Sequence, residues 1–414
     1  MIHPDKIQLL FFFLISYLLS RVFVRFEVPR SLVRWLIVEK HITISRLSWL
    51  IIFGTTIISM LIANVVTLMA MIPVLELIHK QFNGTEREQH KFATLMVLSA
   101  VWGANIGGIG MLTGTTTNGI LVAMYEAYKF PISCQFTFLS WMTWAMPLAL
   151  LLCVVGWLIL MLVFRPAKSM QGGELRSQLC GDDSHIRGRK ISLWLAPIFL
   201  FSAAGLSSSM SFFPKQQTEL LILSAIWTLV FLYILLLHPF RLQSGEKRQI
   251  LLPWAYIWHD LPRKGLLWIL AGVAITMVLV FLKLPKALAE VSVQWITGEK
   301  SALALLLIVG GVATFATELM SNSVIQIAMF VTLFPITKVN PNISWQVMLV
   351  ISLTSTCAFM SPIATPSNGL GFGSTRKISL PYMLFAGLLM NLGSLMIISL
   401  WVHYVVPIVL CLFA

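Results

Sequence analysis

The chain predicts an all-α integral membrane fold of two related halves in inverted orientation, with about eight transmembrane spans and two re-entrant helical hairpins. Three observations carry that expectation. Of the 414 residues 58% are hydrophobic and only 11% charged, with a mean hydropathy of +0.87, whereas ordinary soluble domains carry about 25% charged residues. Apolar runs near ~20 residues, each long enough to cross a hydrocarbon core of about 30 Å, recur along the whole length and leave no soluble domain over. Small polar clusters break some of those runs, and in hydrocarbon such backbone is tolerated only where it lines a cavity or is buried in protein.

The net charge of +13 resides in short connections between apolar runs. No basic stretch carries interleaved aromatics, so the excess marks cytoplasmic connections and no nucleic-acid partner is expected. Cys134, Cys153, Cys180, Cys357 and Cys411 show no metal spacing and read as small core residues. The histidines form no H-E-x-x-H pair, so a metalloenzyme has no support.

In chain order, residues 7–26 form a first span whose exit is basic (Arg30, Arg34, Lys40, Arg46), which puts residues 27–46 in the cytoplasm and the N-terminus outside. No basic region precedes the span and no small-residue cleavage site follows, so it is not read as a signal peptide. Residues 45–78 hold two apolar arms around Ala63-Asn64-Val65, the second stopping near Pro73. With arms too short to cross alone, they read as a hairpin entering from the cytoplasm. Residues 92–128 form a span broken by the glycines and hydroxyls from Asn105 to Asn118. Residues 137–164 cross back to the basic connection 165–190. Spans follow at about 191–212, 219–239 and 265–282, with a third basic connection (Arg241, Lys247, Arg248, Arg263, Lys264) before the last of them. Residues 283–300 read as an amphipathic arm on the outer surface. The segment 313–328 is a second hairpin, entering from outside, with its backbone unwound at Ser321-Asn322-Ser323. Residues 344–360 then lead to a second broken segment, Ser361 to Gly373, and 381–405 form the last span, leaving the C-terminus outside. The chain so divides into 1–44 (first span and cytoplasmic arm, partial scaffold), 45–164 (first transport half), 165–300 (linker, scaffold spans and arm) and 301–414 (second transport half).

Four polar breaks form two pairs: Asn64 with Gly114-Thr115-Thr116-Thr117-Asn118, and Asn322 with Ala364-Thr365-Pro366-Ser367-Asn368, spaced by 54 and 46 residues. Paired discontinuous helices in inverted halves point to a carrier's site near the bilayer midplane. Amide, hydroxyl and freed carbonyl oxygens suit a small hard cation such as sodium, and hydroxyls with helix N-terminal N–H groups suit an oxyanion.

At these residues the chain resembles the divalent anion/sodium symporter (DASS) family, whose signatures are two Ser-Asn-Thr motifs on opposed hairpins, each followed by a Gly-Thr-Pro-Pro-Asn-like or Ala-Thr-Pro-x-Asn break. The resemblance covers nearly the whole chain and implies a homodimeric, elevator-type carrier coupling sodium to a dicarboxylate, citrate or sulfate, with no organic cofactor. By matching position it implies one sodium site at Ser59, Ala63, Asn64 and Gly114 and another at Thr317, Met320, Asn322 and Ala364. The anion would meet Asn64, Val65, Ser321, Asn322, Ser323, Thr365 and Pro366. A multi-pass location follows, in the inner membrane if the source is bacterial.

Two departures matter. Ala63-Asn64-Val65 stands where the family has Ser-Asn-Thr, deleting two hydroxyls, and Thr116-Thr117 replaces Pro-Pro. The first span resembles the family's fourth helix, so three scaffold helices have no counterpart in this sequence.

Blander readings stand beside these. A lone membrane Asn is more often interhelical glue than a ligand, Glu318 is a structural carboxylate as readily as a proton relay, and Gly107, Gly108 and Gly110 serve close packing. An arsenite or sodium/proton antiporter of the same superfamily is a sister reading, weakened by the lack of an intramembrane Asp pair. A truncated, non-transporting membrane protein is the reading from a different class. Nothing in the sequence suggests an enzyme.

Overall fold

A computed structural model of the chain describes residues 4–28, 31, 34, 41–61, 64–127, 138–166, 169–171, 186–212, 216–241, 248–257, 263–296, 301–337, 341–375 and 377–411. The described part is overwhelmingly helical: α1 (Pro4–Arg25), α2 (Ile44–Leu61), α3 (Asn64–Lys80), α4 (Glu86–Gly110), α5 (Thr116–Ala127), α6 (Phe138–Phe164), α7 (Ile186–Phe212) and α8 (Gln217–Leu236). Then come α9 (Arg263–Phe281), α10 (Leu284–Ile296), α11 (Ala302–Thr317), α12 (Asn322–Thr337), α13 (Pro341–Thr356), α14 (Pro366–Gly373) and α15 (Leu380–Leu400). The last of these runs through a π turn, Trp401–Val405, to Cys411. Among the described residues five helices are long and apolar enough to cross a membrane, namely α2, α4, α6, α8 and Leu380–Cys411.

α4 is the centre of the core. Thr85 and Glu88 form a capping box at its start, the threonine hydroxyl accepting from Glu88 N and the carboxylate accepting from Thr85 N at 2.9 Å. That arrangement satisfies amides which the first turn otherwise leaves bare. Every residue from Phe92 to Gly110 is buried, chiefly against α2 and α6. By contrast α8 turns Ile222, Leu229 and Val230 outward and α9 turns Met277, Val278 and Phe281 outward, which is the surface a helix offers to lipid or to another membrane helix.

The ends of the molecule can be assigned from contacts. β1 (His41–Thr43) and β2 (Ser169–Gln171) pair antiparallel, with Ile42 opposite Met170, so the first two basic connections lie together. Arg189 donates to the Phe26 carbonyl at 3.1 Å. Arg25 donates to the carbonyls of Ile250 and Leu251 at 2.6 and 2.7 Å, which brings the third basic connection to the same end. Ile44, Phe82, Lys91, Phe164 and Arg165 wall one cavity of about 240 Å³ there, so the Ile44–Lys80 unit begins and finishes at one end of the molecule.

Several expectations need correction. α2, with 18 residues, is long enough to cross, so arm length is no argument for a hairpin. Pro73 does not stop α3, which continues to Lys80; its ring faces outward and only one ladder bond is forgone. The second unwound stretch is Glu318–Ser321, and Asn322 already opens α12. Pro366–Gly373 is helix rather than break despite its three glycines, because Thr365 caps it by accepting from Asn368 N at 3.1 Å and Pro366 supplies the first-turn geometry. The discontinuity is residues 357–365 instead. The arm is α10, joined to α9 through Lys283 at φ 56°, and residues 297–300 fall outside the described residues. Cys153 and Cys357 are buried, but Cys411 is exposed. Cys134 and Cys180 lie outside the described residues.

Candidate functional site

The two halves carry the same device at their breaks. Asn118 Nδ2 donates to the carbonyls of Gly108 and Met111 at 3.1 and 2.9 Å, and its backbone N–H donates to Thr115 Oγ1 at 3.4 Å. Asn368 Nδ2 donates to the carbonyls of Ala358 and Ser361 at 2.9 and 2.8 Å, and its N–H to Thr365 Oγ1 at 3.1 Å. In each half the acceptors stand 10 and 7 residues before the asparagine and the threonine three before. One side chain thus holds carbonyls that a broken helix would leave bare.

In the first half Asn64, half-buried at the start of α3, receives the Ser59 hydroxyl on Oδ1 at 3.0 Å, and the same hydroxyl lies 2.7 Å from the Ala104 carbonyl. A hydroxyl has one proton for these two acceptors, so three neutral oxygens converge with a proton between only one pair at a time. Glycine is required behind them. A Cβ on Gly108 would stand 2.4 Å from Asn64 Oδ1 and 2.5 Å from the Thr115 methyl, and one on Gly114 would stand 2.3 Å from the Gly108 carbonyl oxygen. Ala63 lies outside the described residues.

In the second half Thr317, Met320 and Ala364 are buried. The Thr317 hydroxyl donates to the Thr314 carbonyl at 2.9 Å. The Asn322 Oδ1 atom is buried with no hydrogen-bond partner among the described residues, an arrangement that favours an added donor or cation. Glu318 is also buried, and its carboxylate accepts from Phe359, Met360 and Ser361 N–H at 2.8, 3.0 and 2.6 Å and from Asn391 Nδ2 at 2.6 Å. Four donors on two oxygens tie the turn after α11 to the break after α13.

The halves meet between these devices. Asn105 Nδ2 donates to Asn368 Oδ1 at 3.0 Å, the Thr117 and Thr356 hydroxyls lie 2.7 Å apart, and Gln326 Nε2 donates to the Thr117 carbonyl at 2.8 Å. Beside this junction a cavity of about 450 Å³ is lined by Thr116, Thr276, Met277, the run Ser321 to Val324 and the run Ile363 to Pro366. Ser321, Asn322, Ser323, Thr365 and Pro366 therefore share one wall, together with Ala364. Among the described residues the wall includes neither Asn64 nor Val65, which are half-buried. Nor does it include a charged side chain.

Thr116 and Thr276 are polar wall residues that the sequence reading does not assign to the anion: it places Thr116 in the first break, and it does not name Thr276. Thr116, exposed at the start of α5, lies 3.4 Å from Ser323 through the two hydroxyls; its signal was the replacement of a proline at that position. Thr276 is the lone hydroxyl between Gly265 and Phe281, and a solitary polar group in an apolar span was signal enough to find it.

Comparison with known proteins agrees with this architecture. The citrate transporter family pattern matches residues 6–296. A sodium-dependent dicarboxylate transporter SdcS of Staphylococcus saprophyticus is 27% identical, over 99% of this chain and 80% of its own length. One from Staphylococcus aureus (strain USA300) is 27% identical, over 86% and 68% respectively. With a family pattern covering well over half the chain, matching relatives along nearly all of it and apolar helices throughout, the protein is a multi-pass membrane transporter that belongs to the citrate transporter family, within the DASS group its paired breaks resemble.

Proposed function

We propose that the chain is a sodium-coupled symporter for a divalent anion, a dicarboxylate, citrate or sulfate, carried by an elevator movement. The observation that carries the reading is the Asn118 and Asn368 device, repeated in both halves and joined beside a cavity whose polar lining is hydroxyls and the Asn322 amide, with no charged side chain among the described residues. A neutral wall cannot balance a divalent anion by itself. Sodium ions bound at neighbouring neutral oxygens supply that charge, which couples the two fluxes through simple electrostatics. The α12 N-terminus, aimed at the cavity, adds its partial positive charge.

One sodium site uses Ser59, Ala63, Asn64 and Gly114; the other uses Thr317, Met320, Asn322 and Ala364. The anion binds at Ser321, Asn322, Ser323, Thr365 and Pro366, with Asn64 and Val65 on the opposite side. Supporting a re-entrant first hairpin is the shared end of Ile44 and Phe82. The segments 45–164 and 301–414 form the moving body, and 1–44 with 165–300 form a scaffold that pairs with a second copy. The relatives' names, which include sodium and dicarboxylate, support the same substrates. Radiolabelled succinate, citrate and sulfate uptake into proteoliposomes, with and without an inward sodium gradient, tests this. Accumulation of one of them only with sodium is expected, and gradient-independent equilibration of all three would refute it.

A further inference from the structure

α9 brings one hydroxyl to the cavity. Thr276 Oγ1 accepts the Ser321 backbone N–H at 3.1 Å, and Thr276 lines the same cavity as Ser321 to Val324. α9 packs extensively along α14, so this hydroxyl is held against the second hairpin tip by the body of the helix. Ser321 immediately precedes α12. Val324 and Ile325 are the first amides to donate back, both to the Ser321 carbonyl. The N–H groups ahead of them are those a helix start presents to an anion.

We propose that Thr276 is a latch that competes with the transported anion: its hydroxyl holds the Ser321 N–H that an anion oxygen takes on binding, so Thr276 sets the affinity of the site and ties α9 to the hairpin tip until the anion arrives. The inference rests on the anion-symporter reading of this cavity. Its physical basis is the difference between acceptors. A bond from an amide to an ionised oxygen is roughly twice as strong as one to a neutral hydroxyl, so the anion wins the exchange but loses part of its binding free energy to the bond it breaks. One neutral hydrogen bond is worth about 2- to 10-fold in affinity. Release of the latch also frees α9 from α12, so occupancy of the cavity and separation of these two elements become one event.

Valine keeps the shape of threonine without the oxygen. Binding of radiolabelled succinate, citrate and sulfate to the purified full-length protein in sodium-containing detergent buffer is compared for wild type, Thr276→Val and Thr276→Ser, alongside sodium-driven uptake. The latch predicts a dissociation constant about 2- to 10-fold lower in Thr276→Val and near wild type in Thr276→Ser. An unchanged constant in Thr276→Val overturns it, since packing alone is preserved. A higher constant overturns it too, because Thr276 would then be an anion ligand. Binding of none of the three anions by wild type also overturns it. Binding without uptake leaves the latch judged on binding and refutes only the transport reading.

Discussion

Glu318 is a buried acidic residue in the turn that leads to Ser321, and its contacts decide what it does. A carboxylate receiving three backbone N–H groups and the Asn391 amide has its oxygens committed to holding two turns together. Glu318→Gln turns an acceptor into a group with two donors facing donors. The expected cost is about 3 kcal/mol, the order found when one partner of a buried charged network is removed. Thermal unfolding in detergent, compared with Glu318→Asp, measures it; unchanged stability would reopen a proton-relay role. Asn322 is different, because its buried Oδ1 has no partner among the described residues. Asn322→Ala is therefore expected to abolish sodium-dependent uptake while the protein still folds, since no stabilising bond of that oxygen is lost. Parent-rate transport with normal sodium dependence would mean the second sodium site lies elsewhere. The sequence made Asn322, Ser321 and Thr365 legible because they interrupt apolar runs. Thr276 also interrupts an apolar run, but its partner Ser321 is 45 residues away, and that pairing is met only in the packed structure.

At the scale of elements, helices were legible and their ends were not. Each expected apolar run holds a helix, though among the described residues five helices are long and apolar enough to cross a membrane; Pro73 and the glycines of α14 misled, because the cost of a proline or glycine depends on which face it occupies and how the helix is capped. Close packing at Gly107, Gly108 and Gly110 was anticipated, and Gly108 adds a functional consequence to it. A Cβ there would meet Asn64 Oδ1 at 2.4 Å, whereas at Gly311 it would meet Leu395 at an ordinary 3.6 Å. Gly108→Ala must push the Asn64 amide aside, a strain of about 1–3 kcal/mol. Apparent sodium affinity should fall by about 5- to 150-fold if that strain falls on the bound state, with Gly311→Ala unchanged. Sodium titration of succinate uptake in the two variants tells them apart, and equal behaviour would remove Asn64 from the first sodium site.

The arrangement of the whole molecule follows from where its cations gather. The basic connections were read as cytoplasmic from charge alone, and independent contacts bring them to one end: the β1–β2 ribbon joins the first to the second, Arg25 joins the first to the third, and Arg165 and Lys91 share a cavity with Ile44. Residues Lys377 to Ser379 belong with them, because Lys377 Nζ donates to Gln89 Oε1 at 2.5 Å and Ser379 N to Thr94 Oγ1 at 2.9 Å. Charge and packing are separate physical causes, so their agreement makes sidedness a sharp prediction. If both hairpins return to the side they enter, an even number of crossings puts the N-terminus and Ala414 on the outer side, opposite the 165–190 connection. Fusions of a phosphatase active only outside and a fluorescent protein that folds only in the cytoplasm, placed after Ala414 and within 165–190, read this directly. Phosphatase activity is expected at Ala414 and fluorescence within 165–190. The reverse pattern would turn the molecule over, and fluorescence at both would mean that one hairpin crosses the membrane fully. In the latter case the cavity beside Ser321 would belong to a continuous span, and the inverted repeat would no longer account for two sodium sites.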